Sequence, residues 1–253
     1  MFNKLFSRPA LQSAHPVSPA TTPAPPPVPV RRTSVIGLTK KAEVSLRKHE
    51  LSGQRAAVYL VLDRSGSMRK HYANGSVQYL AEQVLGLARG LDDDGNVPVV
   101  FFSTGVDGTT EVHLGNYAGR IQDVHQELGS MGRTHYAKAI AHVVKHHLAS
   151  EAHAQGIPAL VVFQTDGGPT NRDAAEAALR AASVYPLFWN FVGYGMKIDF
   201  LVKLDELGHR AVDNASHFHA ADPHNVADED LYDSLTGEFR DWLVQARAEG
   251  IVR

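Results

Sequence analysis

The sequence predicts an α/β domain with a doubly wound, mostly parallel central sheet and helices on both faces. Three observations carry this. Near-continuous apolar runs of strand length recur at "RAAVYLVLD", "VPVVFFST", "PALVVFQTDG" and "VYPLFWNFVGYG", which is how strands read when both their faces are covered. Segments of helical period separate them, as in "SVQYLAEQVLGLARGL", where Val77, Leu80, Ala81, Val84, Leu85, Ala88 and Leu91 share one stripe. The 253 residues, 43% hydrophobic and with a formal net charge of -2, are enough to bury the core such a sheet needs.

The first 32 residues hold Lys4, Arg8, Arg31 and Arg32 and no acid, and from Pro9 to Pro29 they run "PALQSAHPVSPATTPAPPPVP". A Pro/Ala/Ser/Thr segment cannot bury a core, so residues 1–32 are expected to be a disordered basic tether, with at most a weak peripheral contact to an anionic surface. Residues 33–54 form a lead-in packed on the domain. They read either as a helix capped by Thr39 and carrying Ala42, Leu46 and His49, or as a strand through "EVSL". Residues 55–253 are the domain proper.

Within it, strand 55–63 is followed by helix 76–91, strand 97–104 and a short edge strand at "EVHLG". Helix 136–150 turns Ala139, Ile140, Val143, Val144 and Leu148 inward; strand 158–167, helix 172–183, strand 184–195, helix 199–208, strand 215–220 and a closing helix 229–249 complete the alternation. "LDDDGN" at 91–96 lacks the spacing of a calcium loop and reads as a solvated connection.

Several functions lose support at once. There is no cysteine, hence no disulfide, thiolate metal site or cysteine nucleophile. No run approaches the roughly 18 apolar residues of a membrane span, and "MFNKLFSRPA" lacks the apolar core of a secretory signal, so a cytoplasmic location is expected. The chain has no GxxxxGK[ST] loop and no GxGxxG after the first strand. Asp63 stands where a GxSxG elbow needs glycine, and Ser65 stands where a haloacid-dehalogenase-type enzyme needs its second aspartate. Catalysis is therefore not expected. Among the 14 histidines, His142 and His146 lie one helical turn apart, with His147 and His153 following and His217 and His219 on one strand. Val143 occupies the glutamate position of HExxH, so these read as surface histidines. Phe188, Trp189, Phe191 and Trp242 read as core, and a sequence pI near 6.7 without a basic stripe gives nucleic acid binding no support.

In open α/β sheets ligands sit beyond the carboxyl ends of the strands. Three segments put oxygens there: "DRSGSM" with Asp63, Ser65 and Ser67; "GSMGRTHYAKA" with Thr134; and "VVFQTDGGPTNR" with Thr165 and Asp166. Singly, each is an ordinary helix cap or turn. Together they gather hard ligands suited to Mg²⁺, Mn²⁺ or Ca²⁺.

These residues resemble the metal-ion-dependent adhesion site of von Willebrand factor A (VWA) domains, whose first loop has the form DxSxS, with the threonine and the "TDG" following in order. The resemblance spans roughly residues 55–245. The lead-in and first strand are most similar to small bacterial VWA proteins of tellurium-resistance and stress-response clusters (TerF-like), and through them to the copine type. The resemblance implies a VWA, Rossmann-like fold in which Ser65, Ser67 and Thr134 hold the ion directly and Asp63 and Asp166 act mainly through water. It implies Mg²⁺, or Ca²⁺ or Mn²⁺, and a partner protein that donates an Asp or Glu to the metal in a stress or tellurium-resistance assembly. Its alternative is a VWA subunit of an enzyme complex, such as a metal chelatase working with an AAA+ ATPase. Arg64 and Arg133 depart from a plain ligand loop, and both are expected on the rim, where they welcome an anion.

Overall fold

The computed structural model describes residues 33–91 and 95–253. The basic tail and the three aspartates of "LDDDGN" lie outside the described residues. Among the described residues a six-stranded sheet has the order β3-β2-β1-β4-β5-β6, with β1 at Ala57–Asp63, β2 at Val97–Phe102, β3 at Val106–Val112, β4 at Ala159–Thr165, β5 at Leu187–Tyr194 and β6 at Ala215–Ala220. All neighbours are parallel except β2 and β3. Every residue of β1, β4 and β5 is buried, as the apolar runs require.

The strand period of two divides the core. Val58, Leu60 and Leu62 of β1 enter one half with α1 (Val35–Lys48), α3 (Ser76–Leu91) and α9 (Asp228–Ala248). Tyr59 and Val61 enter the other with α5 (Tyr136–Leu148), α7 (Arg172–Ala182) and α8 (Asp199–Asp205). Phe188 and Trp242 meet in the first half with ring centroids 5.7 Å apart, and Trp189 and Phe191 fill the second.

The lead-in segment is a helix, but Thr39 does not cap it. Ser34 accepts the N–H of Gly37, while the Thr39 hydroxyl donates to the Val35 carbonyl one turn back. Its stripe of Leu38, Ala42 and Leu46 packs on α3, where Gly86 permits the approach: a Cβ there would lie 2.9 Å from the Leu38 Cβ and 3.0 Å from the Tyr232 hydroxyl. Ser45 and Lys48 reach Asp233 of α9.

Four short helices complete the described elements: α2 (Arg69–Ala73), α4 (Arg120–Glu127), α6 (Glu151–Ala154) and a single 3₁₀ turn at Gly66–Met68. None was expected from the sequence. The edge strand lies at Val106–Val112, ahead of the "EVHLG" expected to form it, because the turn Ser103–Gly105 sends the chain straight back along β2.

The histidines are partly structural. His146 shares a hydrogen bond with the Tyr59 hydroxyl at 3.0 Å, His147 is fully buried, His217 meets Asp205 at 2.6 Å and His219 meets the Gly195 carbonyl at 2.8 Å. Among the described residues no three His, Cys, Asp or Glu side chains converge in a way that would hold a metal ion.

Candidate functional site

Strand register builds the floor of the site. Leu62 pairs with Gln164, which sets Asp63 beside Thr165 at the carboxyl ends of the two central strands. Asp63 is completely buried. One of its oxygens accepts the Ser65 N–H at 2.6 Å, and the other accepts the Thr165 hydroxyl at 2.6 Å. Burial pushes its carboxyl up to about 6, even though the hydrogen bonds from Thr165 and Ser65 pull it down. The Tyr72 hydroxyl donates to the Asp63 carbonyl from α2.

A line of oxygens runs outward from this floor. Ser65 Oγ lies 3.2 Å from Ser67 Oγ, and Ser67 Oγ donates to Asp166 Oδ1 at 2.7 Å. The three loops are cross-linked by backbone. Gly66 N–H donates to the Gly132 carbonyl and Gly132 N–H to the Arg64 carbonyl, forming a short parallel bridge between the first and second loops. Gly132 has no room for a side chain: a Cβ there would lie 2.7 Å from Ser103 Oγ and 2.6 Å from Thr104 Oγ1. Thr134, two residues on, is tied to the third loop by two bonds, its N–H donating to Thr170 Oγ1 and its carbonyl accepting from the Thr170 N–H.

Asp63, Ser65, Ser67 and Asp166 thus form one connected group, and Thr134 stands on a loop stitched to both of its neighbours. Arg64 corrects the rim expectation. It is 1% exposed and turned away from these oxygens, with Nη1 on Asp107 at 2.7 Å, Nε on His125 Nδ1 at 3.2 Å and Nη2 on the carbonyls of Leu128 and Gly129. The period of a strand explains this: Asp63 and Ser65 face one way and the residue between them the other. Arg133 is exposed, as expected.

Of the residues that brace the site, sequence reasoning singled out only Thr165, as one of the strand-end oxygens and not as a brace. Thr165 anchors Asp63, and Tyr136 of α5 donates to Thr165 Oγ1 and to the Gly167 carbonyl. Thr170 locks Thr134, and Ser103 takes the His135 N–H on its carbonyl while its hydroxyl holds Asp107. Only Thr165, next to the "DG" turn, carried a local signal.

This fold, with oxygen-bearing loops at the ends of the central strands, is that of a VWA domain. Among solved structures, a von Willebrand factor type A protein from Catenulispora acidiphila matches with a TM-score of 0.50 at 14% identity, over 74% of this chain and 43% of its own. The pilus adhesin SpaC from Lactobacillus rhamnosus GG matches at 0.52 and 13% identity over 74% of this chain and 30% of its own, and the SpRpn10 VWA domain at 0.51 and 11% over 70% and 93%. This chain therefore spans less than half of the first two structures, and the likeness is one of fold. The family model for the vWA domain found in the TerF C terminus matches residues 55–252, and the chain belongs to this vWA-TerF-like family. A relative, the uncharacterized protein YcbR of Bacillus subtilis (strain 168), is 34% identical over 225 residues, which cover 87% of this chain and 91% of its own. No helix among the described residues is long and apolar enough to cross a membrane.

Proposed function

We propose that the domain holds a small divalent cation at Ser65, Ser67 and Thr134, with Asp63 and Asp166 acting through bound water, and uses it to capture an Asp or Glu of a partner protein. The observation that carries this reading is the connected line Thr165–Asp63–Ser65–Ser67–Asp166, which contains no cationic side chain because Arg64 is turned into the protein. A buried carboxyl pushed up to about 6 is held against its preference, and a nearby cation offsets that cost. Oxygen donors alone suit Mg²⁺, Ca²⁺ or Mn²⁺, with Mg²⁺ favoured for a cytoplasmic protein.

When bound, such an ion supplies positive charge that a mostly hydroxyl shell leaves unneutralised, and an incoming carboxylate answers it. The chain's own residues position rather than react: Ser65 and Ser67 hydrogen-bond to each other, Ser67 also donates to Asp166, and no histidine takes part in that set. The domain is accordingly a binding device and not a catalyst. Membership in the TerF-like family supports a setting in a bacterial stress or tellurium-resistance assembly.

Calorimetric titration of Mg²⁺, Mn²⁺ and Ca²⁺ into the full chain and into Asp63→Ala tests the reading. Saturable binding by the wild type that is lost in the variant is expected. An absence of heat with the wild type at millimolar metal, or an unchanged affinity in Asp63→Ala, overturns it.

A further inference from the structure

We infer that the partner meets this site with an Asp/Glu-rich segment and not with one isolated acid, a reading that rests on the cation site proposed above and names the chemistry of what it captures. The chain as a whole is slightly acidic, at a formal -2. Yet four separate segments at the carboxyl ends of the strands each bring exposed cations. Arg69 and Lys70 open α2 directly after Ser67 and Met68, and Arg133 adjoins Thr134 on the loop bridged to Ser65. Arg172 opens α7 behind Asp166, its Nη2 lying 3.9 Å from where a Cβ of Gly168 would stand and its guanidinium 5.5 Å over the Phe200 ring. Lys197 follows β5, whose Gly193 pairs with Thr165.

None of these five enters an ion pair among the described residues. Cations set back from the mouth are held: Arg64 by Asp107, and Lys138 by the Thr104 carbonyl. The acids on this side are Asp63 and Asp166 in the site itself, Asp173 and Asp199 in the first turns of α7 and α8, and Asp222, which is engaged by the His224 N–H and the Asn225 amide. On the rim, outside the site's own Asp63 and Asp166, the five cations thus outnumber the three acids, Asp173, Asp199 and Asp222.

A single carboxylate uses the metal alone. An extended segment advances about 3.3 Å per residue, so acids a few positions to either side of the captured one meet long Arg and Lys side chains on the surrounding loops. Each exposed pair adds little, but several add together and speed encounter in a salt-dependent way. Asp173 and Asp199 stand among these cations, and they disfavour a continuous phosphate backbone more than a flexible peptide that can space its charges.

Fluorescence anisotropy on the full chain in excess Mg²⁺ compares three labelled probes. They are a peptide with a central Asp flanked on both sides by Glu, a peptide of equal length with one Asp among Ser and Gly, and a single-stranded DNA oligonucleotide. The acid-rich peptide is expected to bind about tenfold tighter than the single-Asp peptide, with the gap narrowing between about 50 and about 300 mM NaCl. In the combined variant Arg69→Gln, Lys70→Gln, Arg133→Gln, Arg172→Gln the gap is expected to fall below about twofold, with circular dichroism melting as the check on folding. Arg133→Gln alone, at an exposed loop position, is expected to narrow it measurably if the combined variant fails to fold.

Equal affinity for the two peptides, a gap that survives the substitutions, or tighter binding of the oligonucleotide overturns the acid-rich partner. EDTA separates this outcome from failure of the metal site. If both peptides bind equally in Mg²⁺ and neither binds in EDTA, the metal reading stands and the rim does not. If the acid-rich peptide binds regardless of EDTA but not to the substituted chain, the rim stands and the metal reading falls.

Discussion

Two buried aspartates show how differently one side chain is treated in a scaffold and at a candidate site. Asp228, 6% exposed at the start of α9, receives four donors: Tyr79 OH and Gln83 Nε2 on one oxygen, Thr33 Oγ1 and Lys41 Nζ on the other, at 2.7 to 2.9 Å. Burial pushes its carboxyl up, but these bonds outweigh it and hold the group below the ordinary carboxylate range. Asp63 receives one backbone N–H and one hydroxyl and no cation, and burial wins. The aspartate at the helix start is compensated within the fold; the one at the strand end is left in deficit, which is what the proposed cation would offset.

The comparison breaks first at Asp228. Exchange to alanine removes the acceptor that joins α1, α3 and α9 and leaves Gln83 without it inside the protein. A loss of about 4 kcal/mol is expected, because breaking a buried, charge-assisted network costs more than the net worth of its bonds. Urea unfolding reads it directly, and a loss near that of an ordinary surface substitution would remove Asp228 from the structural side of the contrast.

His147 extends the contrast to a base. It is fully buried and pushed down to about 4, first by desolvation and then by His153 and His146. Above its ordinary value of 6.5 it is neutral both folded and unfolded and contributes no pH dependence. As pH falls below that value the unfolded chain takes a proton that the folded chain refuses, so stability is lost progressively down to about pH 4. The full difference is about 3 kcal/mol. His147→Leu should flatten that part of the profile in urea unfolding at stepped pH, while His71, His125 and His142, lowered in the same direction by burial, retain the remainder. A slope unchanged by the substitution places the acid sensitivity elsewhere.

What the sequence disclosed follows the same division between local and distant causes. β1, β4 and β5 were legible because burial on both faces makes the runs near-continuously apolar, broken only by Asn190 and by the polar residues at the strand ends. β3 was not, since "VDGTTEV" is a half-exposed edge strand with only Val112 buried, and α4 buries just Ile121 and Val124. Ser34 and Thr39 are equally good capping residues on paper; the choice between them was made by where the α1 stripe meets α3. At the candidate site the loop residues could be read because their chemistry is local to each strand end. Thr165, Tyr136 and Thr170 brace them through contacts 29 to 102 residues distant, which no local pattern encodes. Arg64 was the avoidable error, because strand alternation already turned it away from Asp63 and Ser65.

The smallest expected effect tests the deficit at Asp63 itself. Asp63→Asn keeps the shape and an oxygen for the Ser65 N–H while removing the buried charge. The Thr165 hydroxyl, now facing an amide, has the Gly167 carbonyl 3.0 Å away as another acceptor. In EDTA near neutral pH the substitution should therefore cost less than about 1 kcal/mol, and a slight gain is consistent with relief of desolvation. Asp228→Asn, by contrast, loses the charge that Lys41 answers and should be clearly destabilised in the same buffer. Paired urea curves for the two variants decide the matter. If Asp63→Asn proves the more damaging, Asp63 is a structural aspartate like Asp228, and its poor compensation cannot be read as the mark of a ligand site.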